Sequence, residues 1–443
     1  MNKYNKYPLT RDSIIQISKI KQEPKWVLDF RLEAFNSFLK HDDLDWGINL
    51  SDLNLSDINY YLTTGQSKDN AKISNKQIDE FNNIGVPLEE REELSGISRQ
   101  YNSEVVYTKL KHILDKKGII FLSIEEGIKQ YPEIVREYIS SVVNIGDNKY
   151  SDLNSAFFSG GSFVYIPENI KLELPLETYF RINAKEFGQF ERTLIIANNN
   201  SQVNYIEGCT APQYTQNNLH CGVVEIVAKD SSNVTYTTLQ NWSRNVYNLV
   251  TKRAIAYNNS HVTWIDCNIG SLATMKYPSV ILKGDSSSGE LLSLAIVDKE
   301  QIIDTGGKMI HIGKNTNSII RSKTIVNNGG ISNYRGLTKI TKEAENSKGY
   351  IECDSLILDD ISVSNTYPQD HINNNSSYIE HEAYISNISQ DKINYLKSKG
   401  LNEIQAKDIV IQGFSKDIIN TLPDEYSIEL KKILNTFITH NEA

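Results

Sequence analysis

The spacing of hydrophobic and polar residues divides the chain into three zones. The first zone, residues 1–150, alternates between helix-like and strand-like patterns and is predicted to be an α/β region. After Pro24, apolar residues recur at every fourth position, which predicts a helix with one buried face. Those positions are Trp26, Phe30, Ala34 and Phe38.

Four further segments complete the picture of the first zone. Residues 107–116 and 133–143 have helical periodicity and are each predicted to be a helix. The apolar run 118–122 between them predicts a short buried strand. The polar segment 67–95 predicts a loop or lid.

The middle zone, residues 151–365, consists of short β-branched and aromatic runs separated by Gly, Asn, Asp and Ser. A polar corner followed by a strand recurs at intervals of about 28 to 31 residues, which predicts a stacked β-solenoid. The aligned corner positions are Ser201, Ser232, Ser260, Ser288, Asn317 and Ser347. A β-sandwich is the alternative, but a sandwich has no reason to repeat one corner at a nearly constant interval. The alignment also predicts that Cys209 and Gln240 lie on neighbouring rungs, unless a bulge shifts the register by one residue.

The last zone, residues 366–443, is predicted to be helical. Ser389 is a helix N-cap, Gly400 ends that helix, and a final helix follows Pro423. The final helix has a wide apolar face, which either packs internally or docks a partner. That face consists of Ile428, Leu430, Ile433, Leu434, Phe437 and Ile438.

Composition and charge exclude several functional classes. The 443 residues carry a net charge of −9, which argues against a nucleic-acid or anionic-membrane binder. We find neither an apolar run long enough to span a bilayer nor a signal-peptide core, and we expect an unexported protein without a membrane span. None of the Gly-Gly pairs has the spacing of a phosphate-binding loop, so we do not expect the chain to be an ATPase.

The 4 cysteines are too few and too dispersed for a disulfide framework or a C-x₂-C metal site. We expect reduced thiols, and any metal site would have to be assembled across the fold or between chains. Gly208 and Pro212 bracket Cys209 at a strand end, so its thiol is either accessible and functional or simply a small buried apolar group. Acidic neighbours surround Cys353 and suit a metal-facing thiol.

Two other groups of residues leave alternatives open. His381 lies between two glutamates and is either an oriented metal ligand or a surface ion-pair partner. Gln240, Trp242 and Lys252 either line a polar path inside the solenoid or form a basic corner beside a core tryptophan.

Read together, the motifs of this chain resemble those of the SufB-type scaffold subunits of the SUF iron–sulfur cluster assembly system, within the SufB/SufD family. The resemblance extends from about Pro24 to the C-terminal helices. The motifs that carry it are residues 156–167 (AFFSGGSFVYIP), 180–183 (FRIN), 188–195 (GQFERTLI), 207–212 (EGCTAP), 240–242 (QNW), 250–253 (VTKR), 305–311 (TGGKMIH), 334–336 (YRG), 353–356 (CDSL) and 380–383 (EHEA).

The resemblance implies a fold, partners and residue roles. It implies a right-handed parallel β-helix, a SufD-like partner subunit, a SufC-like ABC-type ATPase bound by the C-terminal helical region, and a cysteine desulfurase system as sulfur donor. A homodimer is the candidate state of the isolated chain, and reduced flavin is a candidate cofactor of the complex.

The resemblance also implies roles for individual residues. Cys209 corresponds to the acceptor of persulfide sulfur. The implied sulfur route is lined by Arg181, Asn183, Gln240, Trp242 and Lys252. The implied nascent-cluster site consists of Cys353, Glu382 and His381, with Cys353 and Glu382 as iron ligands.

Three points limit or test the resemblance. The N-terminal C-x₂-C-x₃-C segment of some relatives is absent here, and Cys221 and Cys267 match no functional position, so we expect them to be structural. A SufD-like subunit without sulfur chemistry is the main alternative, and the presence of both Cys209 and Cys353 argues against it. A β-helix polysaccharide lyase is a third possibility, but it would require an export signal, which we do not find.

The composition indicates where the protein is located. The abundance of Asn, Ile, Lys and Tyr fits an AT-rich genome, so we expect the cytoplasm of a low-GC bacterium or the stroma of a plastid or apicoplast.

Overall fold

The chain forms a parallel β-solenoid of about 7 turns, flanked by helices on both sides. The computed structural model describes residues 6–42, 46–61, 96–101, 104–108, 114, 116–181, 188–210, 218–422 and 424–439. The predicted mainly β solenoid is therefore confirmed.

Two sheets face each other across the solenoid interior. The first sheet contains β1 (Gly96–Tyr101), β2 (Glu104–Thr108), β5 (Leu176–Arg181), β8 (Gln202–Thr210), β11 (Asn233–Trp242), β13 (His261–Gly270), β16 (Ser288–Val297), β18 (Asn317–Val326), β20 (Lys348–Ile357) and β22 (Tyr378–Asn387). The second sheet contains β3 (Ile120–Ser123), β4 (Ser162–Ile166), β6 (Gly188–Gln189), β7 (Arg192–Ala197), β9 (Asn218–His220), β10 (Val223–Ala228), β12 (Val246–Ala256), β14 (Ala273–Lys276), β15 (Ser279–Leu282), β17 (Ile302–His311), β19 (Ile331–Ile340) and β21 (Val363–Ile372).

The two ends of the solenoid differ. At the N-terminal end, β2 pairs antiparallel with β1, and β3 pairs antiparallel with β4, so the parallel stacking stops there. At the C-terminal end, β21 and β22 are the outermost strands of their sheets in the described part of the chain, and most of their residues are exposed or half-buried. The solenoid is therefore capped at one end and open at the other.

The corners that lead into β8, β11, β13, β16, β18 and β20 each combine a left-handed residue with a buried hydroxyl. Asn200 and Asn259 have φ values of 57° and 54°, a conformation that Asn tolerates better than most residues. The next residue in each corner, Ser201 or Ser260, is buried and donates its hydroxyl hydrogen to the carbonyl three residues earlier. This pairing satisfies a polar group that burial would otherwise leave without a partner.

The predicted corner series is correct at four of its positions and shifted by one residue at two. Ser288 and Asn317 are the first residues of β16 and β18 and pair with each other, opposite His261 rather than Ser260. The equivalent buried hydroxyls belong to Ser287 and Thr316. Consecutive serines at 286–288 made the two registers indistinguishable by composition.

Helices cover the outer faces of both sheets. On the N-terminal side these are α1 (Arg11–Lys21), α2 (Lys25–Phe38), α3 (Ile124–Gln130), α4 (Pro132–Tyr138) and α5 (Lys149–Phe157), with a short 3₁₀ turn at Leu55–Asp57. On the C-terminal side these are α6 (Gln390–Ser398), α7 (Glu403–Ile419) and α8 (Asp424–Thr439). Helices α1, α2 and α5 pack on the second sheet, and α7 and α8 pack on the first. None of the helices in the described ranges is both long and apolar enough to cross a membrane.

The predicted elements of the first zone agree with the structure except near residue 107. Helix α2 and strand β3 confirm the two predictions made around residues 24–40 and 118–122. The helix predicted over 133–143 ends at Tyr138. Tyr107 and Thr108 belong to strand β2, so the helix predicted to begin at Tyr107 does not begin there, because pairing with β1 overrides local periodicity. The segment 67–95 lies outside the described residues.

The parallel strands continue beyond residue 365, where the third zone was predicted to begin. Strands β21 and β22 extend the two sheets to Asn387, and the first C-terminal helix begins at Gln390. In α8, Leu430 and Leu434 are fully buried against the first sheet. Most of the apolar face of the last helix is therefore used internally.

Candidate functional site

Cys209 lies inside the solenoid on strand β8. Its side chain has no solvent exposure, and the thiol hydrogen bond goes to Glu207 Oε1, 3.6 Å away. Of the two alternatives left open for this thiol, the structure contradicts solvent access, because side chains alternate along the strand and that of Cys209 points to the interior. Burial, followed by the charges of Glu207 and Glu191, raises the pKa of Cys209 well above its ordinary value.

Gln240 is the direct neighbour of Cys209 on the next rung, as the repeat alignment predicted, and no bulge shifts the register. Its side-chain oxygen accepts hydrogen bonds from Asn248 Nδ2 at 2.9 Å and from Lys276 Nζ at 3.0 Å. Two donors on one oxygen fix the orientation of the amide. Gln240 therefore connects the Cys209 rung to the opposite sheet.

Lys252 also lies in the interior, which decides between the two alternatives left open for it. Its ammonium donates to Thr238 Oγ1 and to Asp266 Oδ1, the latter at 2.9 Å. Lys276 binds the other carboxylate oxygen of Asp266 at 2.8 Å. Burial opposes ionisation of Asp266, but the two ammonium groups prevail and hold its pKa well below the usual range. Burial lowers the pKa of Lys276 to about 8 despite the same carboxylate.

Trp242 packs beside an imidazole that sequence reasoning did not single out. The ring centroids of Trp242 and His220 are 4.7 Å apart. The two ring nitrogens of His220 contact Asn248 Oδ1 at 2.7 Å and Glu191 Oε2 at 2.8 Å. Burial disfavours the imidazolium, but the Glu191 carboxylate and these contacts outweigh it and raise the pKa of His220.

For the two remaining predicted route residues, Arg181 and Asn183, the structure describes only the backbone of Arg181. Strand β5 ends at Arg181, which pairs with Thr210 next to Cys209. The side chain of Arg181 and the whole of Asn183 lie outside the described residues. The structure therefore brings Cys209, Gln240, Trp242 and Lys252 together in one interior region and gives no side-chain geometry for the other two.

Several interior residues were missed from sequence: Glu191, Glu207, His220, Asn248, Asp266 and Lys276. A usable signal existed for Glu207, because it lies two residues before Cys209 on the same strand and must share its face. For Asp266 and Lys276 no local signal existed, since a charged residue in a strand is ordinarily taken to face solvent.

One interior column of side chains links the surroundings of Cys209 to Cys353. The register of the first sheet aligns Glu207, Thr238, Asp266, Ser293, Ser322 and Cys353, one from each successive strand. All of these side chains are buried. The column is polar or small throughout and lies beside a column of aromatic and aliphatic residues: Tyr205, Tyr236, Trp264, Leu291, Ile320 and Ile351.

Cys353 faces the same interior as Cys209. It packs with Ile351 and Tyr334 in the solenoid core, and only 3% of it is exposed. Burial raises the pKa of Cys353 to about 12, although the hydrogen bond with Tyr334 lowers it. The acidic residues that flank Cys353 in sequence, Glu352 and Asp354, lie on the opposite face of the strand.

His381 and Glu382, predicted to join Cys353, lie on opposite faces of the last strand. Glu382 pairs with Glu352 and is exposed on the outer face, so the structure does not bring it to the thiol. His381 pairs with Ile351 and thus shares the inner face with Cys353. Its Nδ1 contacts Asp370 Oδ2 at 2.9 Å, while Nε2 is buried without a hydrogen-bond partner. Strand alternation therefore separates the side chains of Cys353 and Glu382 within this chain.

The described residues around Cys353 supply too few donors to enclose a metal centre. Within the described ranges, no group of three or more His, Cys, Asp or Glu side chains could hold a metal ion. The unpartnered Nε2 of His381 and the thiol of Cys353 fit nitrogen and sulfur ligands of iron. The donor chemistry fits an iron–sulfur cluster as cargo only if a second chain contributes further ligands.

The other two cysteines lie on outward faces of the sheets and are covered by helices. Cys221 donates its thiol hydrogen to Tyr150 O at 3.1 Å, on the N-terminal side. Cys267 packs beneath the C-terminal helices, and burial raises its pKa to about 12. Neither thiol lines the column between Cys209 and Cys353.

Comparison with known proteins identifies the family. Residues 180–414 match the profile described as "SUF system FeS cluster assembly, SufBD core domain", and residues 75–178 match the SufBD protein N-terminal region. The chain is 45% identical over 430 residues to an iron-sulfur cluster assembly SufBD family protein of Staphylococcus haemolyticus, covering 96% of this chain and 92% of the relative. It is 44% identical over 428 residues to a SufBD family protein of Staphylococcus aureus, with the same coverage of both chains. The chain therefore belongs to the SufBD family of iron–sulfur cluster assembly proteins.

Proposed function

We propose that this chain is a SufB-type scaffold subunit, which accepts persulfide sulfur at Cys209 and assembles a nascent cluster at Cys353. The observation that carries the proposal is the buried column that begins at Glu207, beside Cys209, and ends at Cys353. A SufD-like subunit without sulfur chemistry is the alternative. The alternative gives no reason for two interior thiols to be joined by a polar column, because burying polar side chains costs free energy unless each finds a partner.

The distance between the two thiols requires an intervening path. Five rungs separate Glu207 from Cys353, which is about 24 Å at roughly 4.8 Å per rung. Direct exchange between thiols needs contact between sulfur atoms. The ammonium groups of Lys252 and Lys276 lie at the start of the path and would hold an anionic sulfur species by charge.

At the far end, we assign Cys353 and His381 as this chain's donors to the nascent cluster. Their side chains share the inner face of the last two strands, whereas Glu382 points away from them. A site with one thiolate and one imidazole needs a partner chain to complete it, and such a site holds a cluster less tightly than four thiolates would. Weak retention suits a scaffold that must release its product.

The open end of the solenoid is the proposed contact with a SufD-like subunit or, in the isolated chain, with a second copy. Strands β21 and β22 carry exposed large apolar side chains next to the Cys353 rung: Val363, Tyr367, Ile372, Tyr378, Tyr384 and Ile385. We further propose a SufC-like ATPase at the C-terminal helices and a cysteine desulfurase system as donor, in the cytoplasm of a low-GC bacterium such as those that supply the relatives. Reduced flavin stays a prediction of the family resemblance.

The proposal is tested by comparing two sulfur sources. In the complex with its partner subunits, Cys209→Ala should block transfer of labelled sulfur from the desulfurase to the cluster. The same variant should still allow reconstitution from excess free sulfide, because the site at Cys353 is intact. Visible charge-transfer absorbance measures the cluster, and the isotope measures the origin of its sulfur.

Two further variants separate the route from the cluster site. Cys353→Ser should abolish the absorbance with either sulfur source, and Lys252→Ala should follow the pattern of Cys209→Ala. If Cys209→Ala lowers cluster yield equally with both sources, Cys209 supports the fold or the cluster site, and sulfur acceptance by this thiol would have to be abandoned.

A further inference from the structure

We propose that Glu207 accepts the proton of the Cys209 thiol when that thiol takes up sulfur. This inference rests on the proposed function of Cys209 and adds a catalytic residue to it. The carboxylate contacts the reacting sulfur directly, since Cys209 Sγ and Glu207 Oε1 are 3.6 Å apart.

The position of the carboxylate is fixed from its other side. Tyr236 donates its phenol hydrogen to Glu207 Oε2 at 2.5 Å. The Tyr236 ring is itself held by the ring of Tyr205, with centroids 5.0 Å apart. Glu207 and Cys209 lie two residues apart on one face of β8, so the strand itself sets their separation.

A proton acceptor is needed because the thiolate, not the thiol, is the nucleophile, and burial strongly disfavours the thiolate here. The other charged groups in the interior are unsuited to this task. Lys252 and Lys276 are donors bound to Asp266, and both nitrogens of His220 are engaged by Asn248 and Glu191. Among the described residues, Glu207 alone forms a hydrogen bond with the Cys209 thiol through a carboxylate.

The surroundings of Glu207 make it a stronger base than an ordinary carboxylate. Burial is the largest effect and raises the pKa of Glu207. Lys252 from β12, the phenol of Tyr236 from β11 and the nearby His220 from β9 lower it, while Glu191 raises it. Lys276 on β14 and Asp266 on β13 form the next shell of charge. A carboxyl group whose pKa moves toward that of the thiol makes the proton transfer less unfavourable.

The transfer balances without an oxidant or a reductant. The Cys209 proton moves to Glu207, and the Cys209 thiolate attacks the outer sulfur of the donor's persulfide. A bond forms between Cys209 Sγ and that sulfur while the donor's S–S bond breaks, and the electron pair leaves with the donor's cysteine as a thiolate. The proton on Glu207 is then available to protonate the departing thiolate. Cys209 ends as a persulfide and the donor as a thiol.

The test measures the rate of Cys209 persulfidation against pH, using the full chain, glutathione persulfide as the probe and mass spectrometry as the readout. In the wild type the rate should rise as Glu207 ionises. Glu207→Gln should slow the reaction by about 100-fold or more and leave only the rise at alkaline pH that belongs to the thiol. Glu207→Asp should retain the lower-pH rise. Tyr236→Phe removes a hydrogen bond to the carboxylate and should move that rise to higher pH.

Glu290→Gln is the matched control, because Glu290 is a carboxylate on β16 outside the interior column, and this variant should react as the wild type does. An unchanged pH profile in Glu207→Gln, or a uniform loss of rate at every pH, would overturn the role of Glu207. If Glu207→Gln does not fold, an unshifted profile in Tyr236→Phe would do so. Absence of any sulfur on Cys209 in the wild type would instead contradict the proposed function itself.

Discussion

At the scale of single residues, the interior charges are each compensated by a specific partner. Asp266 lies between two ammonium groups, Lys252 and Lys276, and His220 lies between Glu191 and Asn248. Removing one partner of a buried ion pair typically costs about 3–5 kcal/mol, because the other charge is left unpaired. Substitutions in this network must therefore be read with a stability measurement beside any functional one.

His220 should make the stability of the protein depend on pH in a defined direction. The pKa of His220 is raised in the folded chain, so its protonation favours the folded state. The contribution is complete below the unfolded value of about 6.5 and is lost as the pH rises through the folded value. The difference in unfolding free energy between wild type and His220→Gln should therefore be larger at about pH 6 than at about pH 9, by about 1.4 kcal/mol per unit of pKa shift. Urea unfolding at the two pH values measures it, and a difference that grows with pH would contradict the assignment.

At the scale of strands, the register of the first sheet decides which residues can act together. Ser293 and Ser322 continue the column because successive parallel strands pair without a shift between β11 and β20. A one-residue slip anywhere along this sheet would turn the column outward. The corners that lead into β8 through β20 of the first sheet, each with a left-handed residue followed by a buried hydroxyl, hold that register.

Blocking the column should interrupt transfer after sulfur has been loaded. Ser322→Leu fills the column one rung before Cys353, at a cost of about 1–3 kcal/mol for overpacking. Sulfur loading at Cys209 should be unchanged, while labelled sulfur in the cluster should fall. Arg321→Leu is the control, since Arg321 lies on the same strand but faces outward with 45% of its side chain exposed. Equal transfer in the two variants would show that sulfur does not follow this column.

Sequence patterns predicted the solenoid and the rung shared by Cys209 and Gln240, because the corners impose a repeat that any aligned pair must obey. They failed where two interpretations produce the same pattern. The run Ser286–Ser288 hid the register of one corner, and the sequence neighbours Cys353 and Glu352 appear adjacent although alternation separates their side chains. The interior charges were missed because their partners lie on other strands, as Asp266 on β13 and Lys276 on β14 do, and no pattern within one strand indicates such a pair.

At the scale of the whole molecule, the C-terminal helices serve as a cover for the first sheet. Leu239, Ile265, Cys267, Leu292 and Leu294 lie beneath them as one apolar surface. Lys323 on β18 donates a hydrogen bond from Nζ to the carbonyl oxygen of Phe414 on α7, at 3.0 Å, and so links this helix to the sheet. Deleting everything after Ser389 would expose this surface, so loss of ATPase binding by such a truncation would be confounded by aggregation.

A point substitution gives a cleaner test of ATPase docking. Ile409 on α7 is 48% exposed and is not needed to cover the first sheet. Ile409→Asp should lower capture of the ATPase subunit by at least about tenfold, or about 1.4 kcal/mol, without changing the melting temperature. Ile20→Asp is the control, because Ile20 is 44% exposed on the N-terminal side. Undiminished capture by Ile409→Asp would place the docking surface elsewhere.

The apolar pattern of the last helix could not distinguish its two possible uses. A face formed by residues such as Leu430 and Leu434 has the same spacing whether it covers its own sheet or binds another protein. The outward-facing apolar residues of the first sheet, which need a cover, decide between the two uses, and they lie on strands that precede all of the C-terminal helices, as Leu292 on β16 does.

The difference between the two ends of the solenoid limits how many copies can associate through strand edges. In the described part of the chain, antiparallel strands β2 and β3 end the parallel stacking on the N-terminal side, so there only the edges of β21 and β22 resemble a site for continued parallel stacking. When two chains meet through these edges, each uses its single open end and none is left for a third. Association through this feature therefore terminates at a pair, and the same stacking that builds the solenoid is prevented from growing into a fibre.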